Sequence, residues 1–90
     1  MSSSSYQEPV AELSGTAHDM HRAIASLMEE LDAIDSYNQR TELCKDVELK
    51  NILAHNRDEE KEHAAMLLEW IRRNDLKLSK KLKEYLFSAS

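Results

Sequence analysis

The chain has 90 residues, of which 17 are acidic and 12 basic, giving a net charge of −5. That balance excludes non-specific nucleic-acid or anionic-membrane binding as the main role, and it suits cations. A single Gly, a single Pro and an apolar fraction of 41 %, much of it Ala, Leu and Met, indicate one small domain of long helices rather than sheet.

Two or three helices bury little by themselves, so an oligomer is expected before any motif is considered. Cys44 is the only cysteine and cannot form an internal disulfide, which fits a reducing cytosol. The first eight residues are a Ser-rich polar start, expected to be disordered. They lack the basic and apolar regions of a signal peptide. No apolar run approaches the roughly 20 residues needed to span a bilayer.

Pro9 suits a first helical turn, and the spacing places the first helix over residues 9–38. Ser14 or Thr16 is a competing N-cap for a later start, because Gly15 weakens the helix locally. Apolar positions then run Ala17, Met20, Ile24, Leu27, Leu31, Ile34, in steps of three and four. A second row is Ala23, Leu27, Glu30, Ile34, Tyr37, in which Glu30 interrupts an apolar line. The pattern lapses over Asn38 to Lys45. Asp46 is the expected N-cap of a second helix over residues 46–74. Its row is Leu49, Leu53, Asn56, Glu60, His63, Leu67, Trp70, again with a polar middle. Arg72-Arg73-Asn74-Asp75 suits a C-terminus and a break. A short third helix with a basic face (Lys77, Lys80, Lys81, Lys83) is expected over residues 76–87.

Glu60 and His63 lie one turn apart on one helical face, where a carboxylate and an imidazole can hold a metal ion together. Two helices with a short link pack antiparallel, and facing residues then share a midpoint at the turn. Glu30 with Glu60 has its midpoint at residue 45, and Glu30 with His63 at 46.5; both fall where the pattern lapses. Two carboxylates and an imidazole among Leu, Ile and Trp must neutralise, pair or bind a metal. One chain offers three ligand side chains. A two-fold partner doubles them into the set found in ferritin-like di-iron carboxylate bundles: one Glu from each of two helices and Glu-x-x-His from each of the other two. Oxygen-rich ligands with one His per metal suit iron or manganese better than structural zinc.

The stretches Met28-Glu29-Glu30-Leu31, Asp35-Ser36-Tyr37-Asn38-Gln39-Arg40, His55-Asn56-Arg57-Asp58-Glu59-Glu60-Lys61-Glu62-His63-Ala64, Leu68-Glu69-Trp70-Ile71-Arg72-Arg73-Asn74 and Tyr85-Leu86-Phe87 together resemble the encapsulated ferritins, two-helix ferritin-like proteins of bacteria and archaea. The resemblance implies an all-α fold: a hairpin plus a short C-terminal helix, dimerising into a four-helix bundle. It implies a ferroxidase that oxidises Fe(II) with O₂ at a di-iron centre between two chains. It also implies an annular homodecamer, housed in the cytoplasm inside an encapsulin shell that stores the iron. Family iron ligands fall on Glu30, Glu60 and His63, metal-access carboxylates on Glu29 and Asp32, and Tyr37 lies close to the iron. Asp32 is usually Glu in the family and Ser36 usually Trp, which shortens one access ligand and removes bulk beside it. The chain ends at Ser90, where family members continue into a shell-docking peptide; either that peptide has been removed or this member is delivered differently. Two other classes fit the residues. One is a non-catalytic helical oligomerisation module whose buried polar groups fix register. The other is a zinc- or manganese-binding protein without oxidase turnover. His18, His21 and His55 are read as surface or hydrogen-bonded histidines.

Overall fold

A computed structural model describes residues 6–87, three α-helices and one 3-10 turn, with no strand among them. The 3-10 turn spans Val10–Glu12; α1 runs Gly15–Leu43, α2 Val47–Arg73 and α3 Leu76–Tyr85. The all-α expectation holds. Of the polar start, residues 1–5 lie outside the described residues. Tyr6 is not free: its hydroxyl stands 3.3 Å from His18 Nδ1 on α1.

Each helix begins at a side-chain cap. The Ser14 hydroxyl accepts from the Ala17 amide at 3.1 Å, Asp46 from Leu49 at 2.8 Å and Asp75 from Leu78 at 3.0 Å. Each satisfies one of the amides a helix start leaves without an internal partner. The first helix therefore starts at Gly15, not Pro9; Pro9 instead precedes the 3-10 turn. It also continues to Leu43, five residues beyond the expected end at 38. Polarity there marks an exposed face and not a helix end. Gln39, Arg40, Glu42 and Leu43 are good helix formers, and the Gln39 amide donates to Asp35 one turn back at 3.1 Å. Met, Glu and Leu residues likewise keep α2 unbroken to Arg73, with Asn74 as its C-cap. The last helix stops at Tyr85, short of 87, and Phe87 takes a left-handed φ of 58°.

A three-residue link, Cys44 to Asp46, turns α1 back against α2 as an antiparallel hairpin. The molecule measures 50 × 39 × 16 Å, so it is one helix thick. A single layer cannot enclose a core. Among the described residues the buried apolar side chains are Ala23, Ala64 and Ile71, the two alanines being small enough for helices to approach closely. Met28, Leu31 and Met66 are more than half exposed, at 54, 53 and 63 %, and Ile24, Ile52 and Trp70 are also open. Apolar residues at helical spacing are thus left in water on this hairpin, more than a surface helix ordinarily exposes.

The short α3 is held to the end of α2 by a polar clamp. Both oxygens of Glu69 accept from Arg72 at 2.7 Å, and Oε2 also accepts from Arg73 at 2.8 Å. Arg72 in turn donates to the buried Ser79 hydroxyl of α3 at 3.0 Å. The two guanidinium groups hold the Glu69 carboxyl down at about 2.

Two outcomes follow from these devices. Asp46→Ala removes the cap that sets the hairpin turn, and a thermal or urea melt is expected to show a loss of about 1 kcal/mol. A carboxyl whose folded pKa is depressed contributes stability that is complete above its unfolded value of about 4.3 and lost as pH falls through the folded value. Hydrogen-exchange protection of α3 amides should therefore fall between about pH 4.3 and about pH 2. In Glu69→Gln the protection should be lower at neutral pH and lack that part of the pH dependence.

Candidate metal centre

Glu30 on α1 and Glu60 and His63 on α2 come together halfway along the hairpin. His63 Nδ1 stands 3.5 Å from Glu30 Oε2 and 3.7 Å from Glu60 Oε2. Taking one ligand atom from each residue, all lie within 4.8 Å of one another, close to twice a metal–oxygen or metal–nitrogen bond. Among the described residues this is the only grouping of three or more such side chains at that spacing. The register of the hairpin makes it. With Glu30 level with His63, Glu60 lies one turn earlier on the same face of α2 and meets both.

The cluster is polar groups set into an apolar seam, and it is not self-sufficient. The side chains of Glu30 and Glu60 are 23 and 24 % exposed, and His63 is 46 % exposed on the open side. Glu30 Oε2 is out of water yet accepts no hydrogen bond; His63 stands too far away to supply a good one. The Glu60 carboxyl beside Glu30, then the burial of the group, push Glu30 above the usual carboxylate range, against the opposing pull of His63. Two carboxyls side by side thus resist both being charged, and a bound cation would remove that conflict and give Oε2 a partner. The donor set of two carboxylates and one imidazole fits a divalent or trivalent transition metal.

The other expected site residues stand apart from this cluster in the single chain. Glu29 and Asp32 are exposed on α1, where they face solvent and not the trio. Tyr37 lies two turns beyond Glu30, half-buried, with the Arg40 guanidinium 5.1 Å from its ring centre. No hydrogen bond or ion pair joins it to the trio among the described residues. His55 is exposed and stands 3.4 Å from Glu59 one turn on. Sequence reasoning did not single out Tyr6, which packs on His18 and His21. A lone aromatic in a Ser-rich stretch was the available signal, and it carries no register.

Residues 5–89 match the family model described as EncFtn-like. The "Encapsulated ferritin-like protein" of Rhodospirillum rubrum is 58 % identical over 87 residues, covering 97 % of this chain and 62 % of that protein. The "Ferritin-like protein" of Thermotoga maritima is 53 % identical over 83 residues, covering 92 % of this chain and 73 % of that protein. The chain thus spans about two thirds of the length of these curated relatives. The crystal structure of a Nitrosomonas europaea protein, 67 % identical, superposes with a TM-score of 0.92 over 96 % of this chain and 94 % of that one.

In the metal-free protein, replacing Glu60 by Gln removes the neighbouring negative charge. The Glu30 titration should move down toward that of an ordinary carboxylate, as read by carboxyl ¹³C NMR.

Proposed function

The chain belongs to the EncFtn-like family, and from that premise we propose that it is a ferroxidase, oxidising Fe(II) to Fe(III) with O₂ at a di-iron centre shared by two chains, for iron storage and detoxification inside an encapsulin shell. The observation that carries the reading is the Glu30–Glu60–His63 cluster, half-open to solvent midway along a hairpin one helix thick. The shell as partner is supported by the name of the Rhodospirillum rubrum relative. No helix among the described residues is long and apolar enough to cross a membrane.

A second copy laid on the exposed face makes a four-helix bundle and brings two clusters together. The seam then holds two Glu30, two Glu60 and two His63, the six side chains that bundles of this kind use for two metal ions. The annular decamer implied by the family resemblance would be built from such pairs. Iron is the substrate here: it arrives as Fe(II), supplies the electrons that O₂ accepts, and leaves oxidised. The chain's own groups do the rest. Glu30 and Glu60 place negative charge against the ion, which favours the higher oxidation state by Coulomb attraction. A cation beside the crowded Glu30 carboxyl offsets the push of Glu60 on it and favours its charged form. His63 binds as the neutral imidazole through the nitrogen that faces the carboxylates. Leu27, Ile34 and Leu67 in the same rows keep water from the seam once the second copy covers it. Exposed Glu29 and Asp32 draw cations toward it, and Tyr37 sits beside the path; Asp32 reaches less far than a Glu would.

O₂ uptake on Fe(II) addition, read beside metal content, tests this. Glu30→Ala and His63→Ala should each lower the initial rate by more than the roughly 10–100-fold loss typical of changes one step outside a metal's ligands. Unchanged rates in both, with dimers intact, rule the site out. Bound metal without O₂ uptake leaves a zinc- or manganese-binding protein, and no bound metal leaves an oligomerisation module. Because the site spans the interface, Fe(II) should also raise the dimer fraction at fixed protein concentration in sedimentation velocity.

A further inference from the structure

Tyr6 is held against two histidines at the far end of α1 from the hairpin turn. Its hydroxyl stands 3.3 Å from His18 Nδ1. Its ring lies over the His21 imidazole, centroids 3.7 Å apart and planes at 32°, and meets the His18 ring edge-on at 5.9 Å. The three side chains are half-buried. With the His18 proton on Nε2, the phenol donates to a bare Nδ1. The other two tyrosines lack this arrangement. Tyr85 is exposed, and Tyr37 lies under the Arg40 cation, which makes electron loss from its ring costlier. Among the described residues, neither has a hydrogen-bonded base at its hydroxyl.

A phenol gives up an electron readily only if its proton leaves in the same step, since the protonated radical is a strong acid. A hydrogen-bonded imidazole supplies the acceptor. We propose that Tyr6 and His18 form a proton-coupled redox pair that absorbs stray one-electron oxidants. In the forward step the oxidant takes one electron from Tyr6, the O–H bond breaks, and the proton moves to His18 Nδ1, leaving a neutral phenoxyl and an imidazolium. In the return step one Fe(II) supplies the electron and becomes Fe(III), and His18 gives the proton back to the phenol oxygen. The imidazolium sits in the fourth position of α1, where the helix dipole disfavours a cation, so the proton is poised to return. The stacked His21 ring holds the phenol in place and limits its exposure to solvent.

The pair lies 12 residues, about 18 Å along the helix, from Glu30. It therefore meets oxidants that escape the metal cluster, here partially reduced oxygen species formed when Fe(II) and O₂ react. This choice of physiological oxidant, and of Fe(II) as the returning reductant, rests on the ferroxidase reading; the pair itself can be tested without iron.

The test treats the full chain, without iron, with hexachloroiridate(IV), a one-electron oxidant, and reads the tyrosyl radical by freeze-quench EPR. The expected result is a radical that disappears in Tyr6→Phe and persists in Tyr37→Phe and Tyr85→Phe. In His18→Leu the rate of radical formation should fall at least about fivefold, the worth of one ordinary hydrogen bond. The solvent deuterium isotope effect on that rate should vanish with it, a signature that a merely structural role would not move. Circular dichroism confirms that each variant keeps its helices. A radical retained in Tyr6→Phe, no tyrosyl radical in the parent, or an unaltered rate and isotope effect in His18→Leu overturns the proposal. Loss of O₂ uptake with this radical chemistry intact would sink the ferroxidase reading alone.

Discussion

Two carboxylates and an imidazole occupy positions where the helical rows call for Leu or Ile, and the rest of the molecule follows from that conflict. Removing a charge from water without a partner costs several kcal/mol. A hairpin only 16 Å thick cannot bury the trio fully, and it cannot leave the trio wholly in water either, because Leu27, Ile34 and Leu67 share its helical rows. The observed compromise is a cluster open on one side, with Glu30 kept above the usual carboxylate range by its neighbour Glu60. Covering the face strands the charges unless something positive enters with the partner. A metal and a second copy would thus be linked physically: each would make the other less costly.

That linkage depends on register, and register depends on the ends of the helices. A slip of one residue in the pairing of α1 with α2 would rotate Glu30 by about 100° around its helix and take it out of the seam. The three-residue link and the Asp46 cap set the start of α2. The small buried contacts Ala23 and Ala64 then fix how closely the helices lie. At the other end, the Glu69–Arg72–Ser79 clamp orients α3 without a large apolar interface. Polar geometry does here what a core would do in a larger domain.

The parts of this arrangement legible in the sequence are those that periodicity and spacing encode. Glu30, Glu60 and His63 stood out because each breaks an apolar row, and because their midpoints coincide with the turn. Their common position in the hairpin was therefore open to arithmetic. The end of the first helix was not. Asn38, Gln39, Arg40 and Glu42 are polar on the exposed side of the last turns while Thr41 is buried, and hydrophobic pattern cannot separate such turns from a loop; helix propensity was the better guide. The start at Gly15 turned on whether Ser14 would cap, a local choice decided by a single hydrogen bond. The contact of Tyr6 with His18 and His21 was illegible for a different reason. It joins an irregular segment to a helix 12 residues away, and no period relates the two. Glu29, Asp32 and Tyr37 stand apart from the trio in the single chain, and a role for them beside a metal would depend on a neighbouring chain that one sequence does not describe.

Stability alone would not select this trio. Leu or Ile at positions 30, 60 and 63 would complete the first row, leave Asn56 as the one polar position of the second, and remove the repulsion between two carboxyls. Substitutions of that kind for buried charged groups often stabilise a fold by about 1–4 kcal/mol. Keeping the charged set therefore costs the hairpin stability, and the cost falls where sequence and fold disagree most locally while agreeing in every other respect. Capped helix starts, unbroken helical spacing and small residues at the closest approach all favour one structure. A single local exception inside an otherwise consistent design is where function is expected to reside, and here the exception has the donor chemistry of a metal site.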